Sequence, residues 1–377
     1  MKNILLIPDS FKGTMSSEQI CTIMDRAIKR HYPDAVVTSI PVADGGEGSV
    51  DAFLKALGGE KRTLTVQGPF ALPMESFYGV VKKTTAVIEM AACAGLPLVG
   101  DELHPDLTTT FGVGQLILDA AKQGCKTIIV GLGGSSTNDG GCGAAAACGV
   151  VFKDAQGNSF VPTGGTMGKV ASIDLSKLDP VLKDVTITTM CDIDNPFYGT
   201  NGAAYIFGPQ KGATPEMVKV LDANLQSLAK VIERDCKIEV QDIPGAGAAG
   251  GMGGGMAAFF GSQLQMGIET VLETVNFDKL LTKADLVLTG EGKIDGQSLR
   301  GKVVIGVARR AKKAQVPVLA IVGDIGDDVE GAYAEGVSGI FSINRLAVDF
   351  KTAKPRAPQD MEKTIDNLMR FTKRMGL

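Results

Sequence analysis

"ADLVLTGEGKIDGQSLRGKVVIGVARRAK" occupies residues 284–312. Its opening is a short apolar run that reads as a buried strand, and a glycine loop follows from Gly290. From about residue 301 to 314 the apolar positions recur at helical spacing. Strand, glycine loop and helix are half of a β–α–β unit, and the same order recurs toward both ends of the chain. "KNILLIP" (2–8) is a second buried strand, ended by Pro8. A helix begins near Ser16, where S-x-x-Q makes a capping box ahead of Ile20, Ile23, Met24, Ala27 and Ile28. "AVVTSIPV" and "EGSVDAFLKAL" repeat the pair, and "VPVLAIVG" (316–323), "SGIFSI" (338–343) and a helix near 358–375 extend it. This alternation predicts one parallel α/β sheet built from both termini.

The middle of the chain reads differently. "FYGVVKK" and "TAVIEMA", within residues 70–100, have the spacing of a hairpin. A helix near 107–123, the strands "KTIIV" and "VTITTMC" and a long helix near 214–235 follow. The expectation is a second α/β domain, residues 70–282, inserted into an outer domain made of 1–69 and 283–377.

Composition bounds the function. A chain of 377 residues with 44% hydrophobic and 21% charged residues is an ordinary globular protein of two or three domains. A net charge of −4 gives no footing for nucleic acid or an anionic membrane surface. Seven scattered cysteines without C-x-x-C, and only His31 and His104, argue against a disulfide framework or a zinc site and for reduced cytoplasmic thiols. The charge-free stretch 243–268 has the length of a membrane span, but its nine glycines predict a buried loop leading into an element near Phe259 and Phe260. Glycine stands out at 48 residues, against an average of roughly 7%.

Ligands of open parallel sheets gather where strands end. After "ILLIP" come Asp9, Ser10 and Lys12, and Lys12 suits a phosphate or a carboxylate, or simply a capping loop. After "SIPV" come Asp44 and Glu47 on a glycine turn, fit either for Mg²⁺ or for capping the next helix. "GLGGSSTNDGGCGAAAACG" (131–149) is poor in side chains, either to offer N–H groups to phosphate or to pack tightly on a sheet. In "CDIDNPFYG", Asp192 and Asp194 alternate, so both carboxylates can converge on one cation or hydroxyl, or form a turn before Pro196.

"GQSLRGKV" (296–303) nearly matches a P-loop but fails at Val303, where a Mg²⁺-binding hydroxyl belongs. Glu291, Lys293 and Asp295 precede it, a mixture suited to a metal–phosphate complex. "GAGAAG" (245–250) matches G-x-G-x-x-G in letters only, since "DIP" precedes it where a strand belongs. Bare loops, carboxylates and a few cations are the parts of phosphoryl transfer, whose catalysis is mostly positioning and charge neutralisation.

Six motifs, "PDSFKGTMSS", "PVADGGEGS", "GLGGSSTNDGG", "CDIDNPFYG", "GPQKGA" and "LVLTGEGKIDGQSLRGK", resemble in order the bacterial glycerate kinase family of the type forming 2-phosphoglycerate. The resemblance implies a flavodoxin-like outer domain, an inserted inner one and a cleft between them. It also implies ATP- and Mg²⁺-dependent phosphorylation of D-glycerate, in cytoplasmic catabolism of glyoxylate or sugar acids. Combined with the loops, it leads to an expected set of roles. Asp192 is the base, with Lys12 and Lys293 neutralising charge; Ser10, Asp44, Ser135, Ser136 and Asn138 hold glycerate. Gly133, Gly134, Gly290, Gly292, Gly296 and Lys302 hold ATP or its phosphates, and Glu291 and Asp295 lie near Mg²⁺. Two rivals are a nicotinamide-dependent dehydrogenase of a small hydroxy acid, tested by NADH titration, and a nucleotide-binding regulator without turnover.

Overall fold

The computed structural model describes every residue except Asp44, Gln297, Leu377 and the side chain of Arg300. The Asp44 expectation therefore lies outside the described residues. The chain divides into two compact units: Met1–Ala43, Lys55–Leu57 and Ile268–Leu377, and Asp44–Leu54 with Gly58–Gly267.

Two strands open the chain, β1 (Asn3–Pro8) and β2 (Val36–Ser39). Four follow in the second unit, β3 (Glu60–Gln67), β4 (Pro73–Val81), β5 (Thr85–Glu89) and β6 (Thr127–Gly131). A small antiparallel sheet is made by β7 (Val151–Lys153), β8 (Ser159–Phe160) and β9 (Ser172–Asp174), and β10 (Thr186–Met190) and β11 (Gln263–Gln265) end that unit's strands. The rest are β12 (Leu286–Gly290), β13 (Lys293–Ile294), β14 (Val318–Val322), β15 (Asp324–Ile325) and β16 (Val337–Ser342).

In the first unit five strands run parallel in the order β16-β14-β12-β1-β2. Counted along this sheet alone the order is 2-1-3-4-5, the flavodoxin-like doubly wound arrangement. The N- and C-terminal segments thus meet in one sheet, as the alternation at both ends predicts. Ile4, Leu6, Leu286 and Leu288 point to one face, against the buried stripes of helices Ser17–Lys29 and Ala357–Arg374. Helix Val303–Lys313 covers the other face through Val304, Ile305 and Ala308. The capping box at the first helix is present: Gln19 N donates to Ser16 Oγ at 3.2 Å, and Ser16 N donates to Gln19 Oε1 at 3.0 Å.

The second unit carries a six-stranded sheet, β11-β10-β6-β5-β4-β3. Its first four strands are parallel, and β5-β4-β3 are antiparallel hairpins. Strand β3, which sequence places ahead of the expected boundary at 69/70, pairs over its whole length with β4 here.

The glycine-rich stretch runs into the expected element near Phe259 and Phe260, a helix that is longer than expected. Its span is Ala248–Phe260, with a kink near the start where Ala249, Gly250 and Gly251 are left-handed. Bare glycines let that helix press on neighbouring backbone: a Cβ on Gly250 would lie 2.1 Å from Thr137 O, and one on Gly255 2.2 Å from Gly140 O. Among the described residues no helix is long and apolar enough to cross a membrane.

Candidate active site

In the first unit, β1 and β12 are neighbours with Pro8 opposite Gly290. The sheet's winding reverses between these two strands, which is where open α/β sheets leave a ligand crevice. The loops after them therefore emerge side by side. Asp9 N donates to Gly290 O at 2.8 Å, and Ser10 N to Asp9 Oδ1 at 2.7 Å. Phe11 and Met15 bond each other's backbone, closing a turn with Lys12 at its exposed edge. A pocket of about 300 Å³ is lined by Ser10, Lys12, Thr14, Ser16, Gln19 and their neighbours.

Glu291 is the one deeply buried carboxylate of these loops, 5% exposed, and its Oε1 has no hydrogen-bond partner. Burial pushes its pKa up to about 7, Ser298 and Lys302 pull it down, and Asp9 and Asp295 push it further up. Lys293 is more than half exposed, with its ammonium 3.9 Å from Asp295. Lys302 is exposed at the N-cap of helix Val303–Lys313. Of the three glycines expected to hold phosphate here, Gly290 is bare for the sheet, since its Cβ would lie 2.0 Å from Ile321 O. A Cβ on Gly292 would lie 3.6–3.8 Å from the Phe11 and Lys12 backbone, and one on Gly296 3.4 Å from Asp328 Cβ, both ordinary contacts.

In the second unit the parallel strands β5, β6 and β10 end together at Glu89, Gly131 and Met190. The two glycine loops of this unit are bare for one another. A Cβ on Gly131 would lie 2.2 Å from Gly45 O, and one on Gly133 2.5 Å from Gly46 Cα. Gly133 N–H is donated to Gly45 O at 3.1 Å, so close packing, not an open phosphate cradle, accounts for that glycine. Gly134 is exposed with φ at +76°. Glu89, 3% exposed, accepts from Val50 N at 3.0 Å and so holds the start of helix Ser49–Leu57.

Below Gly134 the loop turns inward. Ser136 donates both N–H and hydroxyl to Ala94 O, at 2.9 and 3.0 Å. Asn138 is fully buried, and neither of its amide atoms nor Thr137 Oγ1 has a partner. Asp139 is fully buried too and accepts from Thr110 N and Oγ1 at 2.8 Å and from Gly141 and Gly143 N at 3.1 and 3.2 Å. Burial raises its pKa, and those four bonds oppose the rise. Asp139→Ala would strand four buried donors, so we expect a loss of ~3–5 kcal/mol of stability in a urea titration. A midpoint unchanged from that of the unsubstituted protein would show that the network contributes little.

Asp192, just past β10, is exposed, and its Oδ1 accepts from Gly267 N at 2.6 Å. Asp194 is exposed as well. Lys211 is a residue that the sequence offers only as part of "GPQKGA". It is 2% exposed, and its Nζ donates to Ser135 Oγ at 2.7 Å and Thr137 O at 2.6 Å. The first unit thus gathers Ser10, Lys12, Glu291, Lys293, Asp295 and Lys302, and the second gathers Gly133, Gly134, Ser135, Ser136, Asn138 and Asp192.

Among the described residues no three His, Cys, Asp or Glu side chains assemble as a protein-held metal cage. Glu291 with its open oxygen, near Asp9 and Asp295, fits a cation that arrives on phosphates, because Mg²⁺ takes one or two carboxylates and completes its shell with phosphate and water.

A doubly wound sheet with acidic and basic loops at its switch point, accompanied by a second parallel-stranded unit with polar strand-end loops, defines an α/β enzyme of small-molecule chemistry. The chain belongs to the glycerate kinase family, whose model matches residues 4–373. It is 45% identical over 90% of both chains to the glycerate 2-kinase of Escherichia coli K12, and 42% identical to the glycerate kinase of Halalkalibacterium halodurans over 98% of this chain and 97% of that one. A crystal structure from Salmonella typhimurium LT2, assigned as a glycerate kinase 2, superposes with a TM-score of 0.88 at 40% identity, covering 100% of this chain and 99% of that one.

Proposed function

We propose that the protein transfers the γ-phosphoryl group of ATP to the 2-hydroxyl of D-glycerate, with Mg²⁺, giving 2-phosphoglycerate and ADP. The observation that carries this reading is Glu291: a buried carboxylate with an open oxygen at the switch point, beside the Lys12 turn and Lys302. An acidic group and cations side by side in one crevice suit polyphosphate carrying a divalent ion. The reaction fits a cytoplasmic role in glyoxylate or sugar-acid catabolism, on small molecules and away from nucleic acid and membrane, consistent with a net charge of −4.

Mg²⁺, when bound, withdraws charge from the phosphate oxygens; Glu291 and Asp295 would hold it. Lys12, Lys293 and Lys302 are exposed and long enough to follow phosphate or carboxylate oxygens. Gly134, Gly292 and Gly296 leave room for ligand backbone contact, and Ser10, Ser135 and Asn138 offer neutral hydrogen bonds; Ser136, expected to join them, gives both of its donors to Ala94 O and shapes the loop instead. Asp192 accepts the hydroxyl proton as the glycerate oxygen bonds to phosphorus and the bond to ADP breaks. ADP release that requires both D-glycerate and Mg²⁺ supports the reading; ATP consumption indifferent to glycerate contradicts it.

Lys12→Ala tests the phosphate-facing turn. Losing a charged hydrogen bond should cost roughly 1.5–3 kcal/mol, about ten- to a hundredfold in kcat/KM. Thermal stability should hold, since Lys12 is exposed. Unaltered kinetics would make Lys12 a residue of the turn alone.

A further inference from the structure

Lys211 ends a single turn, Pro209–Lys211, and its ammonium lies inside the second unit. Among the described residues no carboxylate pairs with it; Asp139 acts only through space. A buried unpaired lysine is expensive, and a methionine would fill the same volume without that cost. Burial brings its pKa down to about 7. The geometry shows where the cost is directed. Nζ bonds Ser135 Oγ and Thr137 O, pinning the loop on either side of Ser136, and the next side chain, Asn138, has two unpartnered amide atoms. An ammonium that donates to Ser135 Oγ occupies a hydroxyl lone pair and leaves the hydroxyl proton to point elsewhere. It also makes that proton a stronger donor toward an anion.

We propose that Lys211 is a positioning residue for the acceptor substrate, orienting the Ser135 hydroxyl and the 135–138 loop to receive a small carboxylate anion. The inference rests on the reading that this loop holds glycerate.

Lys211→Met and Ser135→Ala, alone and together, test it with steady-state kinetics in both substrates. Each single change should raise KM for D-glycerate roughly ten- to a hundredfold while KM for ATP stays within about twofold. The double change should be no worse than the more severe single one, because both remove one interaction. A folded Lys211→Met protein with ordinary KM for glycerate overturns the proposal, as do equal rises in both KM values. If Lys211→Met does not fold, Lys211→Gln takes its place, keeping a donor within the pocket but losing the charge: a selective rise in glycerate KM supports the proposal, and an ordinary glycerate KM overturns it. Asn138→Ala separates the two layers, since both amide atoms of Asn138 are unpartnered. Should it raise glycerate KM while Lys211→Met does not, only the role of Lys211 fails; should all leave it unaltered, the loop is not the glycerate site.

Discussion

Asp192→Asn is expected to lower kcat by roughly 10²–10⁴, the span usual for loss of a general base. The substitution is nearly isosteric, and an asparagine Oδ1 can still accept the Gly267 N–H that Asp192 Oδ1 takes at 2.6 Å. That bond fixes one edge of the carboxylate against the backbone and sets its direction. What disappears is the charge and the capacity to take a proton. Apparent affinity for Mg·ATP should therefore change little, and the melting temperature less than for the buried Asp139. If the substitution instead raises the Mg²⁺ requirement, Asp192 is a metal ligand and the base lies elsewhere. If neither parameter moves, Asp192 serves the structure, through contacts such as that with Gly267, and not the chemistry.

Removal of divalent cations should abolish turnover altogether. Among the described residues the acidic loops offer oxygen donors without clustered His or Cys, the donor set of a hard cation. EDTA should therefore stop turnover, and Mg²⁺ or Mn²⁺ added in excess should restore it at once. Glu291→Gln keeps the shape and removes one ligand charge, so it should raise the Mg²⁺ concentration needed for half-maximal rate. Full activity after exhaustive chelation would contradict the assignment of Glu291 and Asp295.

The first unit's sheet was legible because its strands are short apolar runs bounded by Pro8, Gly290 and similar breaks, and the helices between them carry apolar residues at helical spacing. The capping box at Ser16 marked a helix start to within a residue. Strand β3 was not legible. "EKRTLTVQ" is mostly exposed, burying only Val66, and takes its conformation from the β4 backbone it pairs with. The glycine stretch 245–261 was legible in part: the element near Phe259 and Phe260 is there, but low propensity hid its length, because burial against the 137–141 loop holds it helical beyond the kink at 249–251.

The site divides in the same way. Side-chain chemistry after strand ends pointed to Lys12, Glu291, Asp295 and Asp192, and the strand register ends at Pro8, Gly290 and Met190, from which the loops carrying them lead off. Sequence could not separate glycines that leave room for ligand from glycines that leave room for backbone. Gly133 and Gly290 belong to the second kind, which shows only when Gly45 and Ile321 are brought against them. Lys211 was illegible as well, because burial of a lysine between glycines is a property of packing and leaves no periodic or compositional mark.

Which hydroxyl of glycerate receives the phosphoryl group is read from ³¹P NMR of the product. D-glycerate, ATP and Mg²⁺ incubated with the protein should give 2-phosphoglycerate in equal amount to ADP. Phosphate on the 3-hydroxyl, or ADP accompanied only by inorganic phosphate, would contradict a glycerate 2-kinase activity.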